Sequence, residues 1–220
     1  MRSESFWTWF DKQAAPKLDL REISFRKMFE YLDAFDGPVT IVETGCVRTA
    51  DNWVGDGQST ILFDQYVGSG DRDSIVHTVD LDPAATQACR SLVSDRVVVH
   101  TGDSVAVLPR IAGQLSAEGR RLDLLYLDSL DLDWNNPTRS AVHPLKELIS
   151  IIGMVNPDTL VVVDDSAMQC WAVVAERDRL HVLAPPTITG KGLYVAEYAA
   201  QVQARLMFSH YQVGWTRLVQ

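Results

Sequence analysis

The sequence has 220 residues, 46% of them apolar and 22% charged, with a formal net charge of −9. That length, with a mean hydropathy of −0.03, is the composition of a globular domain with a sizeable buried core and excludes a disordered tail protein. An isoelectric point of about 4.9 without a Lys/Arg run argues against nucleic acid as a partner, because the whole-molecule field repels phosphate backbones.

In chain order, residues 1–35 carry Phe6, Trp7, Trp9, Phe10, Phe25, Met28 and Phe29. This predicts amphipathic helices that pack on the rest of the chain or lie over a site as a lid, ahead of a main domain at 36–220. Packing is the commoner use of such a segment. Next come the β-rich runs VTIVE (39–43), SIVHTVD (74–80), RVVVHT (96–101), LDLLYLD (122–128) and TLVVVDD (159–165). Continuous apolar runs mark strands covered on both faces, and the stretches between them are long enough for crossover helices at 58–68, 83–93, 103–117 and 139–154. Pro83 suits a first helical turn, and Asn156-Pro157-Asp158 makes a turn into the fifth strand. Residues 192–203 read as a helix, and 204–218 as two strands joined near His210 and Tyr211. The predicted fold is α/β, Rossmann-like and mostly parallel, with a C-terminal antiparallel strand and N-terminal helices.

Cys46, Cys89 and Cys170 are too few and too irregularly spaced for a disulfide framework or a zinc site. Neither a signal-type apolar stretch nor a run of ~18 apolar residues occurs, so no membrane partner is expected and a cytoplasmic protein is. The C-terminal YQVGW and the aromatic N-terminus are candidate contacts for a homodimer.

In a doubly wound sheet the ligand crevice lies beyond the carboxyl ends of the strands. Those ends are acidic here: Glu43, Asp80, Asp103 after Gly102, Asp128, and Asp164-Asp165. Carboxylates at five strand tips are poorly explained by packing, since a buried one needs a partner. The loop 43–60 lacks the G-x-G-x-x-G of a dinucleotide site, which disfavours nicotinamide chemistry. Gly45 permits a sharp bend, and Gly57-Gln58-Ser59-Thr60 can open a helix with Ser59 or a neighbour as cap, leaving amides for a carboxylate. Asp80 stands where an acid can hold both hydroxyls of a ribose.

The ordered series E-T-G-C, T-V-D-L-D-P, T-G-D-S, L-Y-L-D-S and V-V-V-D-D-S resembles the class I S-adenosylmethionine-dependent methyltransferases over residues 38–218. Within that class it is most similar to the metal-dependent O-methyltransferases of catechol and macrolide-sugar type. The resemblance implies that Glu43 and Gly45 lie at the cofactor's methionine end, that Asp80 takes the ribose hydroxyls, and that Asp103 and Ser104 meet the adenine. It also implies that Asp128, Asp164 and Asp165 are metal ligands. Three carboxylates at adjacent strand tips repel one another unless something positive sits among them, and hard oxygen ligands favour Mg²⁺, Mn²⁺ or Ca²⁺. A divalent ion there, most simply Mg²⁺, would bind the acceptor hydroxyl and lower its pKa.

The chain departs from the family pattern in places. The loop between Gly45 and Gly57 is about ten residues longer than the compact form, which brings Arg48, Asn52 and Trp53 into consideration. Asp131 stands where the catechol type carries a lysine, so no lysine base comes from that position, and Asp131 and Asp133 make an already acidic loop more so. His143, near the start of a helix, is a candidate proton acceptor alongside Asp128, or else a helix-entry histidine bonded to backbone. Thr189-Gly190-Lys191-Gly192 lacks phosphate-loop spacing and reads as a loop before a helix, yet Lys191, expected near the sheet's carboxyl edge, can reach an acidic group of the substrate or cofactor. The expected activity is methyl transfer from S-adenosylmethionine to a hydroxyl of a small molecule, assisted by a divalent metal. The alternatives are metal-independent N- or carboxyl-methyl transfer, or a non-catalytic nucleoside-binding scaffold. On the expected reading, Asp164→Asn costs turnover far more than folding.

Overall fold

The computed structural model describes residues 4–56, 58–70, 73–133, 135–166, 168–169, 172–175, 179–182 and 187–220. Gly57 and Cys170, singled out above, lie outside them. Cys46 and Cys89 are buried free thiols.

The N-terminal segment folds as α1 (Glu4–Trp9), a π turn (Phe10–Ala14), α2 (Ala15–Leu18), a 3₁₀ turn (Asp19–Arg21) and α3 (Glu22–Leu32). Phe25, Met28, Phe29 and Leu32 recur at helical spacing along α3 and all are fully buried. They share one core with Phe6, Phe10, Ile41, Phe63, Tyr126 and Val162. Each such side chain contributes roughly 1.5–3 kcal/mol by leaving water. The aromatic segment is therefore part of the sheet's packing, and one of its residues also reaches the site described below.

Strands β1 (Thr40–Thr44), β2 (Ile75–Asp80), β3 (Val97–Thr101), β4 (Leu124–Leu127) and β5 (Leu160–Val163) are parallel. Between them run α4 (Trp53–Asp56), α5 (Ser59–Gly68), α6 (Pro83–Leu92), α7 (Ser104–Ala117) and α8 (Pro137–Ile151). Two helix starts follow the sequence directly: Asp82 accepts from the Ala84 amide ahead of Pro83, and Asp103 accepts from the Val105 amide. The cap of α5 is Gln58 in the left-handed region, with no side-chain cap bond, and Ser59 is the first helical residue rather than the cap. Asn156 forms the expected turn by accepting from the Asp158 amide.

Beyond β5, where the sequence predicts no element, the chain makes two short antiparallel ribbons. They pair β6 (Met168–Gln169) with β9 (Thr187–Ile188) and β7 (Ala172–Ala175) with β8 (Arg179–Val182). Helix α9 (Leu193–Gln201), β10 (Arg205–Ser209) and β11 (Val213–Thr216) follow. The main sheet runs β10-β11-β5-β4-β1-β2-β3, and β11 is antiparallel to both of its neighbours.

Alternation along β4 and β5 sends Leu124, Tyr126, Leu160 and Val162 to the α3 face, and Leu125, Leu127, Val161 and Val163 to the α7–α8–α9 face. The connections turn opposite ways on either side of β1, so the crevice of such a sheet opens at the carboxyl ends of β1 and β4. No described helix is long and apolar enough to cross a membrane.

Candidate active site

A cleft of about 820 Å³ lies along these carboxyl ends. Its wall follows the strand order: Asp103 and Ser104 after β3, Asp80 closing β2, Gly45 and Cys46 after β1, Asp128 after β4, and Asp165 after β5. Four inter-strand steps of ~4.8 Å make this row roughly 19 Å long, room for an extended nucleoside with a tail and a second small molecule.

The turn after β1 fixes the middle of the row. Gly45 has φ +81°, its amide donates to the Val79 carbonyl at 2.8 Å, and a Cβ there would sit 2.9 Å from the Asp128 carbonyl oxygen. Only glycine lets β1 turn this close to β4. Asp80 spends part of its capacity on the turn, with Oδ2 accepting from the Cys46 amide at 3.3 Å and Oδ1 from the Asp82 amide at 2.9 Å. A carboxylate has about four lone-pair sites, so both oxygens keep one for a ligand. Asp103 likewise uses one oxygen on its helix cap.

Glu43, expected at the cofactor's methionine end, does not line the cleft. It is fully buried beneath the turn, where Thr60 Oγ1 donates to its Oε2 at 2.7 Å and Oε1 has no hydrogen-bond partner among the described residues. Burial pushes its carboxyl up to about 7, against the opposing effect of the neighbouring Ser59, Thr60 and Thr78 hydroxyls. Ser59 does line the cleft. In the long loop, Arg48 reaches the cleft and lies 3.8 Å from Asp131, whereas Asn52 and Trp53 are not on its wall. The loop docks on the N-terminal segment, with Lys17 2.8 Å from Asp51 and over the Trp53 ring.

His143 lines the cleft. Its Nε2 lies 3.2 Å from Ser104 Oγ and 3.3 Å from Oε1 of the fully buried Glu147, which also accepts from Ser129 Oγ. This joins α8 to the tips of β3 and β4 through side chains. Glu147 was not singled out in the sequence, although its i, i+4 spacing from His143 is readable there.

The three aspartates part company. Asp165 has φ +47°, and this kink sends Asp164 and Asp165 to different partners. Asp164 is 1% exposed and lies off the cleft wall, accepting from Tyr126 Oη at 3.0 Å and from Arg21 Nε at 3.4 Å. Asp128 and Asp165 line the cleft with Lys191 between them, its Nζ 2.8 Å from Asp128 Oδ1 and 2.9 Å from Asp165 Oδ2. Tyr211 Oη donates to Asp165 Oδ1 at 2.5 Å.

Burial raises the Asp128 carboxyl well above the ordinary range, more than Lys191 lowers it. For Asp165 the balance reverses: burial opposes ionisation, but Lys191 and Tyr211 hold it below its ordinary value. Burial likewise opposes the Lys191 charge, and Asp128, Asp165 and Asp164 outweigh it.

This arrangement corrects the expected metal centre. The positive charge that the aspartates require is supplied by Lys191 and Arg21. Among the described residues, no group of three or more His, Cys, Asp or Glu is arranged to hold a metal ion. As they stand, Asp128, Asp164 and Asp165 do not fit a shared divalent ion, because Asp164 is sealed under Tyr126 and the other two are bonded to an ammonium.

Strand order, the antiparallel β11 and the placement of the cleft define the class I methyltransferase fold. No family model matches the sequence, and no curated protein does. Solved structures do match. A protein from Corynebacterium glutamicum is 10% identical with a TM-score of 0.55, the alignment covering 100% of this chain and 93% of that one. At that identity the likeness bears on fold alone. The O-methyltransferase from Bacillus cereus in complex with SAH is 20% identical over 75% of this chain and 67% of that one, with a TM-score of 0.42. The MycE methyltransferase of the mycinamycin biosynthetic pathway, in complex with Mg and SAH, is 15% identical over 68% of this chain, with a TM-score of 0.43. The chain spans 37% of that protein's length.

Proposed function

We propose that this protein transfers the methyl group of S-adenosylmethionine to a hydroxyl of a small molecule. The observation that carries this reading is the order of groups along one cleft, where Asp103-Ser104, Asp80, Gly45-Cys46 and Asp128 close four adjacent parallel strands. An extended nucleoside-amino-acid sulfonium asks for that order: polar groups for a base, a carboxylate for a ribose diol, a close backbone turn for the sulfur region, and a proton acceptor beside the methyl.

In the reaction, the acceptor oxygen attacks the methyl carbon and the carbon–sulfur bond breaks, leaving its electron pair on sulfur. The hydroxyl proton passes to the ionised form of Asp128, which its raised pKa makes the stronger base and whose side chain is 23% exposed on the cleft wall. His143, tied to Ser104, belongs with the nucleoside end. Catalysis of this kind rests on holding oxygen, carbon and sulfur in line and on excluding water. No step is routed through a metal ion, since the aspartates are committed to Lys191 and Arg21.

Calorimetric titration with S-adenosylhomocysteine tests the reading. Micromolar binding, followed by methyl incorporation into hydroxylated acceptors, is the expected result. Absence of binding at millimolar ligand would overturn it.

A further inference from the structure

Resting on that reading of the cleft, we propose that Lys191 is the site's resident cation: its ammonium takes the position between Asp128 and Asp165 that a divalent ion would otherwise fill. The acceptor oxygen therefore meets a protein-borne positive charge.

The backbone around Lys191 is shaped to deliver it. The 3₁₀ turn Gly190–Gly192 presses on the residues after β5, with the Lys191 amide donating to the Asp165 carbonyl at 3.0 Å. Gly190 has φ +64°, and a Cβ there would sit 2.0 Å from that same carbonyl oxygen; a Cβ on Gly192 would sit 2.5 Å from Ser166 Oγ. A side chain at Gly190 would displace the turn from the backbone it presses on, and one at Gly192 would displace Ser166. The lysine between them is 1% exposed and nonetheless lines the cleft.

Burying an ammonium is costly unless it is paired, and here the pairing is close to complete. Nζ donates to Asp128 Oδ1 and Asp165 Oδ2 at 2.8 and 2.9 Å and makes a longer contact of 3.3 Å to the Asp128 carbonyl. These are ammonium–oxygen distances, longer than the ~2.1 Å of a Mg–oxygen bond. The long contact is the one that an acceptor oxygen can replace. An ion of charge +2 entering beside Lys191 would be repelled by it and would have to break both short bonds.

Mn²⁺ serves as the probe, read by the electron paramagnetic resonance of the free ion, with and without S-adenosylhomocysteine. The wild-type protein is expected to leave submillimolar Mn²⁺ free. Lys191→Ala, which vacates the space and leaves the carboxylates, is expected to bind Mn²⁺ at least tenfold more tightly, and Asp165→Asn added to it to abolish that gain.

Stoichiometric Mn²⁺ binding by the wild type that Asp165→Asn removes would overturn the proposal. So would a folded Lys191→Ala protein that binds no Mn²⁺, since the lysine would then be a packing residue. If that variant does not fold, the wild-type titration decides alone. Mn²⁺ binding requires no methyl acceptor, so failure of the methyl-transfer reading registers separately, as missing S-adenosylhomocysteine binding.

Discussion

Arg21 Nε and Asp164 Oδ2 meet at 3.4 Å, joining residues 143 positions apart in the sequence. Arg21 also lies 3.7 Å from Asp165 and over the ring of Tyr211, so the N-terminal segment is ion-paired into the end of β5. Removing the Asp164 charge leaves the mostly buried Arg21 with only its longer contact to Asp165. Asp164→Asn should therefore lower stability by on the order of 3 kcal/mol, which reverses the expectation that it would mainly cost turnover. Urea denaturation measures this, and a midpoint equal to the wild type's would refute it.

The aromatic cluster gives a second stability prediction. Phe29 rings lie 4.8 Å from both Phe6 and Tyr66, and Phe29 is fully buried. Phe29→Ala should cost about 3–5 kcal/mol. Because Phe29 is absent from the cleft wall, affinity for S-adenosylhomocysteine should be unchanged in the folded fraction. A loss below about 1 kcal/mol would mean the site collapses to fill the cavity.

Two buried groups should tilt the pH dependence of stability in opposite directions. The Glu43 carboxyl is raised from 4.5 to about 7, chiefly by burial, so its contribution is complete below pH 4.5 and is lost as pH rises towards 7. Burial, assisted by His100, lowers His77 from 6.5 to about 4. The two rings stack with nitrogens 3.0 Å apart, and the contribution of His77 is complete above pH 6.5 and is lost as pH falls towards 4. Glu43→Gln should therefore gain on the wild type between pH 4.5 and 7, reaching roughly 3 kcal/mol at pH 8. His77→Gln should gain on it between pH 6.5 and 4. Denaturation midpoints across this range check both, and parallel curves for variant and wild type would contradict the assigned ionisations.

Asp80→Ala addresses the ligand directly. A charged acceptor is worth ~1.5–3 kcal/mol, so S-adenosylhomocysteine should bind roughly 10- to 100-fold more weakly. Asp80's bonds to the Cys46 and Asp82 amides are half-buried and exposed, where water can replace the carboxylate, so thermal stability should change little. Unchanged affinity in calorimetry would remove Asp80 from the ligand's contacts.

The parallel strands were legible in the sequence because runs such as Leu124–Leu127 and Leu160–Val163 are apolar on both faces, and the start of α6 because Pro83 suits a first helical turn. The acidic strand tips were legible for the same reason, since a strand's end is fixed once its apolar run is. What fills the space among them was not. Arg21 lies in a segment whose sequence advertises only aromatic packing, and Lys191 sits in a turn that resembles a poor phosphate loop. Arg21 meets Asp164 143 positions on, and Lys191 meets Asp128 63 positions back, and local spacing carries no record of such partners. The short ribbons between β5 and α9 escaped for another reason, because two- and four-residue strands give too few positions to establish a period.

The packing of the N-terminal segment also bears on synthesis. Phe25 stacks on Tyr126, and Arg21 waits for Asp164. A nascent chain thus carries Phe25 and Arg21 without these two contacts until about 100 and 143 further residues have left the ribosome, an interval of roughly 5–29 s at 5–20 residues per second. During that interval the face of Phe25 that meets Tyr126 is available to chaperones or to neighbouring chains. Late-closing contacts of this sort slow folding and favour association of incomplete chains.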